Sequence, residues 1–304
     1  MAITPPLGAR RSAVSRHNAG GTGGHMDPSF SKQFDVQAVL EGGKRPIQFG
    51  TNVLAGLVEG IDEFRRDREQ QRRSRSLGPA MLGAFLWVDD TELLQRIAEF
   101  PSACVVVSKQ PQGKYHAERL RKVAEAVKDA AGFPAWAFSE LEELRFHQDG
   151  EAPVLGPGSP QERIRLPALR TLGYRKAGNH LVPILHTKML LLGELWWHDE
   201  DGLGGVADVT GFTPHRLWLG SANGTGSSRR SLEFGLWLED LGLLKAAQQF
   251  LVEVLTQSED LDPDSDSLTP DLVVPDYDDE AMWEAMTALA GYDADEHDDS
   301  EDEA

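Results

Sequence analysis

Apolar and polar positions alternate along this chain in two rhythms. "AMLGAFLWV" (80–88) and "ACVVVSK" (103–109) are near-continuous apolar runs of strand length, predicting strands buried on both faces. Between and after them, "DDTELLQRIAEF" (89–100) and "HAERLRKVAEAVKDAAG" (116–132) space apolar residues three and four apart, predicting helices; the first has an acidic opening turn, the second a closing glycine. "AWAFSELEELRF" (135–146) also reads as a helix. After the turn-rich "GEAPVLGPGSPQER", three more strand-like runs follow: "HLVPILHTKMLLLGEL" (180–195), "HRLWLGSAN" (215–223) and "SLEFGLWLED" (231–240). "LLKAAQQFLVEVLTQ" (243–257) closes the series as a helix. Strands alternating with helices predict an α/β fold, a mixed β-sheet flanked by helices.

The flanks differ. Residues 1–30 are rich in Gly, Ser and Pro without periodicity and read as disordered, and Met26 is an alternative start. Residues 31–76 hold "FDVQAVL", a helical "TNVLAGLVEGIDEF" and a run with six arginines between Arg65 and Arg75, read as a solvated linker or a phosphate-contacting patch. The ordered domain is expected over 77–258 and an acidic tail over 259–304. The tail carries one helical candidate with an apolar stripe of Met282, Trp283, Met286 and Leu289.

Composition changes the picture mainly through charge. The net charge is −19, from 49 acidic against 30 basic residues. Residues 259–304 hold 19 of the acids and no Lys or Arg, so residues 1–258 balance 30 against 30. The overall acidity therefore does not argue against a nucleic-acid partner for the body. No apolar run approaches the roughly 20 residues of a membrane span, and no N-terminal h-region is present, so a cytoplasmic protein without stable membrane insertion is expected. The single cysteine, Cys104, lies in a buried-strand pattern and reads as a structural thiol.

Within "LHTKMLLLGE", His186 and Lys188 are two apart and share a face on a strand. Polar side chains on an apolar strand are costly unless paired or used. Ser221 and Asn223 of "GSANGT" follow the next strand, and Glu233 opens the one after it. Together these supply an imidazole, an ammonium, a hydroxyl, an amide and a carboxylate, a set suited to phosphoryl transfer without metal or cofactor. The order His186-Thr187-Lys188, Gly220-Ser221-Ala222-Asn223, Glu233-Phe234-Gly235 resembles the HxK…GSxN…E-F-G pattern of the phospholipase D superfamily, over roughly 185–240. The resemblance implies His186 as nucleophile forming a phosphohistidine, Lys188 and Asn223 holding the phosphate, and Ser221 and Glu233 in support.

Two departures matter. The aspartate that the pattern places five residues after the lysine is Gly193 here, with Glu194 next. Either Glu194 substitutes or the carboxylate is absent, as in related tyrosyl-DNA phosphodiesterases; strand alternation favours absence. The family usually joins two motif copies, and this chain has one. Small single-motif endonucleases of the family dimerise around a shared site, which implies a homodimer here with the two His186 facing. The resemblance thus points to a metal-independent phosphodiesterase on nucleic acid, a nuclease or DNA end-processing enzyme, with DNA favoured over RNA. The alternatives are a phospholipid hydrolase or transferase, and a non-catalytic binding module.

Around this core, the 195–215 segment is longer than a strand connection needs and reads as a functional loop. Its Trp196 and Trp197 stack on bases or lipid at the site mouth, or pack partly buried. Arg229 and Arg230 contact a phosphodiester backbone, or serve the surface alone. His198, Asp199, Glu200, Asp201 and Asp208 lack metal-ligand spacing and read as a solvated acidic loop. His116, His180 and His215 read as structural or exposed. The acidic tail is a dock for a protein partner, or lies over a cationic cleft as a nucleic-acid mimic that restrains activity.

Overall fold

The computed structural model describes residues 34–39, 46–71, 74–109, 113–147, 150–157, 163–173, 176–177, 180–181, 184–199, 208–263 and 269–295. The expectations for residues 1–30, Arg72, Arg73, Glu200 and Asp201, and for the side chains of His116, His180, Asp199, Asp208 and Leu289, lie outside that description.

A nine-stranded mixed sheet organises the chain. Its strands in chain order are β1 (Val36–Val39), β2 (Pro46–Gly50), β3 (Ser76–Phe85), β4 (Ser102–Lys109), β5 (Leu169–Gly173), β6 (Lys188–Asp199), β7 (Asp208–Gly220), β8 (Glu233–Leu238) and β9 (Glu259–Asp260). In space they run β1-β2-β8-β7-β6-β3-β4-β5-β9. β3, β4 and β5 are mutually parallel, and every other neighbouring pair is antiparallel. Helices α1 (Val53–Gln70), α2 (Thr91–Glu99), α3 (Gly113–Val127), α4 (Leu241–Thr256) and α5 (Asp279–Asp295) complete the main elements.

The central strands read as unbroken apolar runs because both sheet faces are covered. Met81 and Phe85 of β3, Val105 and Val107 of β4, and Leu190 and Leu192 of β6 face a core shared with α1, α2 and α3. Their neighbours Leu82, Ala84, Cys104, Val106 and Leu191 face a second core, closed by α4 and by Phe133, Phe138 and Leu141. "AWAFSELEELRF" is not one helix. It forms a single 3₁₀ turn, a four-residue helix and a short strand at Arg145–Phe146, with Phe138 and Leu141 buried in this second core.

Both expected domain boundaries run through continuous packing. α1 buries Leu54, Leu57, Ile61 and Phe64 in the main core and extends through Arg65 and Arg68 of the arginine run. The presumed linker is therefore partly helix, with Arg65 paired to Glu69 and Glu99. At the other end β9 adds to the sheet edge at β5, and Leu272–Val273 pairs with Arg145–Phe146. Arg170, fully buried on β5, is held by Ser258 Oγ at 2.6 Å, Asp260 at 3.3 Å and Asp271. A buried guanidinium needs such partners, so the first part of the acidic segment belongs to the body. Beyond it, α5 leaves its stripe exposed, with Met282, Trp283 and Met286 at 39%, 71% and 63%. Among the described residues no helix is long and apolar enough to cross a membrane.

Candidate active site

Three strands end at one rim of the sheet. Lys188 opens β6 and pairs with Phe85, the last residue of β3, while Gly220, the last of β7, pairs with Gly235 near the start of β8. The rim is thus the carboxyl end of parallel β3 and β4, the edge where open α/β sheets place ligands. His186 lies just ahead of β6 rather than on it, so the expected strand alternation does not place it. Thr187 instead fixes the lead-in, its carbonyl accepting from Leu86 N–H at 2.9 Å. The result still joins the pair: Lys188 Nζ stands 3.2 Å from Nδ1 and 3.3 Å from Nε2 of the exposed His186 ring.

The GSAN turn is clamped on two sides. Ser221 N–H donates to Phe234 O and Phe234 N–H to Ser221 Oγ, both at 3.0 Å. Gly224 N–H donates to Trp87 O at 3.0 Å, and its carbonyl accepts from Asp89 and Asp90 N–H at 2.8 and 2.9 Å. Ser221 Oγ–H donates to Glu233 Oε2 at 2.5 Å. Burial pulls Lys188 below the usual lysine pKa, and the Glu233 carboxylate opposes that pull. Asn223 Oδ1 is buried without a hydrogen-bond partner. A polar atom left in that state at a rim lined by Lys188 and Ser221 is one that a donor-bearing group can satisfy.

The remaining expectations fare unevenly. Arg229 is engaged by the fold: its guanidinium grips Asp90 at 2.6 and 2.7 Å and Glu92 at 2.7 Å. Asp90 also caps α2, accepting from Leu93 N–H at 3.1 Å. Burial raises the Asp90 pKa, but Arg229 and the Leu93 N–H more than offset it, so the carboxyl sits below its ordinary value; Arg229 is held well above its own. Arg229 therefore ties the turn to α2 rather than offering its fork to a substrate. Arg230 is exposed on the same 3₁₀ turn.

Trp196 and Trp197 are not at this rim. The 195–215 segment is mostly two long strands, β6 and β7, paired from Met189–Leu219 to Asp199–Asp208 with one register shift between Leu192 and Gly193. Trp196 thus lies eight residues from Lys188, about 26 Å at the usual strand rise. Among the described residues no three His, Cys, Asp or Glu side chains gather as a metal cage. His215, expected structural or exposed, is one-third exposed with Nε2 3.7 Å from Glu194.

Gly193 and Glu194 resolve the missing carboxylate. A Cβ on Gly193 would lie 2.3 Å from Phe212 Cζ and 2.5 Å from Thr213 O, so no side chain fits there. Glu194 turns toward α1, 3.7 Å from Arg68. It stands about 20 Å down the strand from Lys188 and does not substitute. Sequence reasoning missed Asp89 and Asp90 as braces of the GSAN turn. The only available signal was "DD" before a helix, which reads as a cap and not as an anchor for a turn more than 130 residues away. Comparison of the chain with protein-family models, curated proteins and solved structures returned no match.

Proposed function

We propose that the chain is a metal-independent phosphodiesterase of the phospholipase D type, cytoplasmic and acting on nucleic acid, DNA in preference to RNA. The observation that carries this reading is the meeting of His186, Lys188 and the Ser221–Glu233 pair at one sheet rim, with Lys188 Nζ 3.2 Å from the imidazole. In this reading an unprotonated His186 ring nitrogen attacks phosphorus. The phosphorus–oxygen bond to the leaving nucleoside breaks as the nitrogen–phosphorus bond forms. The Lys188 ammonium and the Asn223 amide N–H hold the non-bridging oxygens, where charge builds in the transition state. Glu233 favours the charged form of Lys188 against the pull of burial and, through Ser221, ties the end of β7 to β8. Water then attacks the phosphohistidine and releases the phosphate monoester, restoring the imidazole.

One histidine attacks; a second must protonate the departing oxygen. A homodimer with the two rims facing supplies it from the other copy. The sheet edge beside the rim supports such an arrangement, because Phe234, Phe49 and Val36 pair across β8, β2 and β1 and stand 44%, 43% and 53% exposed. An apolar row of this kind is suited to covering by another surface.

The test incubates wild type and His186→Ala with DNA, RNA and phospholipid vesicles in EDTA. EDTA-resistant cleavage of nucleic acid, lost in the variant by at least 10³-fold, is the expected result. Lipid turnover assigns the same chemistry to another substrate. DNA binding without turnover of any substrate overturns the catalytic reading, and a strict monomer in sedimentation overturns the shared site.

A further inference from the structure

At the end of the sheet opposite His186, β6, β7, the last turn of α1 and the lead into β3 line a half-open cavity of about 590 Å³. That volume falls in the roughly 300–1,000 Å³ range of small-ligand pockets. Its walls combine the Trp196 indole, on the same strand face as Glu194, with two guanidiniums, Arg68 and Arg75, and the strand at Trp197. Trp196 is held rigidly. Its Nε1–H donates to Thr213 Oγ1 at 2.9 Å, and its ring lies where a Cβ on Gly211 would be, 2.3 Å from Cζ2. Trp197 is 38% exposed, and its backbone N–H donates to Arg75 O at 3.0 Å, which fixes Arg75 against the same strand.

The charges here are under-used. Arg68 Nη1 is 3.7 Å from Glu194, beyond hydrogen-bond length, its Nη2 reaches Gln71 at 3.4 Å, and its Nε is buried without a partner. Glu194 also lies 3.7 Å from His215 Nε2, so its one charge is shared between two neighbours. Arg75 makes no ion pair among the described residues. Two cations facing one carboxylate leave a net positive cavity, which repels metal ions and attracts anions. Arg forks suit an oxyanion with several acceptors, and the anchored Trp196 indole suits a flat heterocycle.

We infer that this cavity is a second ligand site and that it takes a nucleoside phosphate, its base against Trp196 and its phosphate on Arg68 and Arg75. The inference does not rest on the phosphodiesterase reading, since the two sites share no residue. Isothermal titration of the full chain with adenosine monophosphate, adenosine and inorganic phosphate tests it. The nucleotide is expected to bind at least tenfold tighter than either fragment. Arg75→Gln, at an exposed position, weakens it about tenfold, Trp196→Ala about fivefold, and His186→Ala leaves it within twofold. Circular dichroism melts confirm that the variants are folded. Equal affinity for phosphate and nucleotide, binding lost in His186→Ala, or no heat at 10 mM nucleotide, a level set to detect even roughly millimolar affinity, overturns the inference.

Discussion

Gly193→Ala is a sharp test of why the expected carboxylate is absent. The added methyl lands 2.3 and 2.4 Å from Phe212 Cζ and Cε2 and 2.5 Å from Thr213 O. Carbon contacts are comfortable near 3.5–4 Å, so ring or strand must move by about 1 Å. The ring has little room, since Phe212 sits 6.1 Å from Phe133 and 5.6 Å from Phe138, centroid to centroid. The carbonyl belongs to the paired strand β7. Overpacking of this kind costs about 1–3 kcal/mol, and the backbone contact argues for the upper half. Replacing glycine by alanine returns about 0.4–1 kcal/mol by restricting the unfolded chain. The net expectation is a loss of about 1–2.6 kcal/mol in urea denaturation, with unchanged m-value. Gly193→Asp adds an unpartnered buried carboxyl, about 1–3 kcal/mol more, and gains no activity. Combining Gly193→Ala with Phe212→Leu relieves the ring contacts but not the carbonyl, so the cycle should show coupling of about 1 kcal/mol. A Gly193→Ala loss under about 0.5 kcal/mol, or no coupling to Phe212, would refute the steric account.

Other expectations follow from the same structure. Cutting the chain after Ser258 removes Asp260 and Asp271 from the buried Arg170 and should destabilise it by about 3–5 kcal/mol. Cutting after Asp278 removes α5, whose Met282, Trp283 and Met286 are exposed, and the nine residues after it, and should shift the melting temperature by less than about 2 °C. Any restraint of activity by the acidic tail is therefore to be measured with the shorter cut. Lys188→Met should abolish turnover without lowering stability at pH 7, because burial disfavours the Lys188 ammonium in the folded state. The sign follows from its lowered pKa: the penalty is full below the folded value and fades as pH rises through it. The stability of wild type relative to Lys188→Met should thus climb as pH approaches the ordinary lysine range; a flat difference refutes the desolvation. Burial also pushes the Cys104 thiol up to about 12, so at pH 8 a thiol reagent should label it no faster than global unfolding, followed by absorbance in native buffer.

Much of this molecule is legible in its residue order. Runs such as "ACVVVSK", with alternate residues serving two cores, announce a strand covered on both faces. The 3-4 spacing in "TELLQRIAEF" announces a helix with one buried side. Both signals are local and survive without knowing any neighbour. The candidate site was partly legible for a related reason: His186 and Lys188 are close in sequence, and Ser221 and Glu233 flank strand ends that pair directly. What only the tertiary structure decided are matters of distance across the sheet. Arg229 looked available beside the GSAN turn, but folding brings Asp90 and Glu92 within 2.7 Å of it across more than 130 residues. Trp196 and Trp197 looked near the site in sequence, yet a 12-residue strand carries them to the far end. The acidic tail looked like one segment, but a single buried guanidinium, Arg170, draws its first part into the body. Local pattern sets which face of an element is apolar. Which side chains then meet, and which stand about 26 Å apart, depends on strand order and length, and no window of sequence contains either.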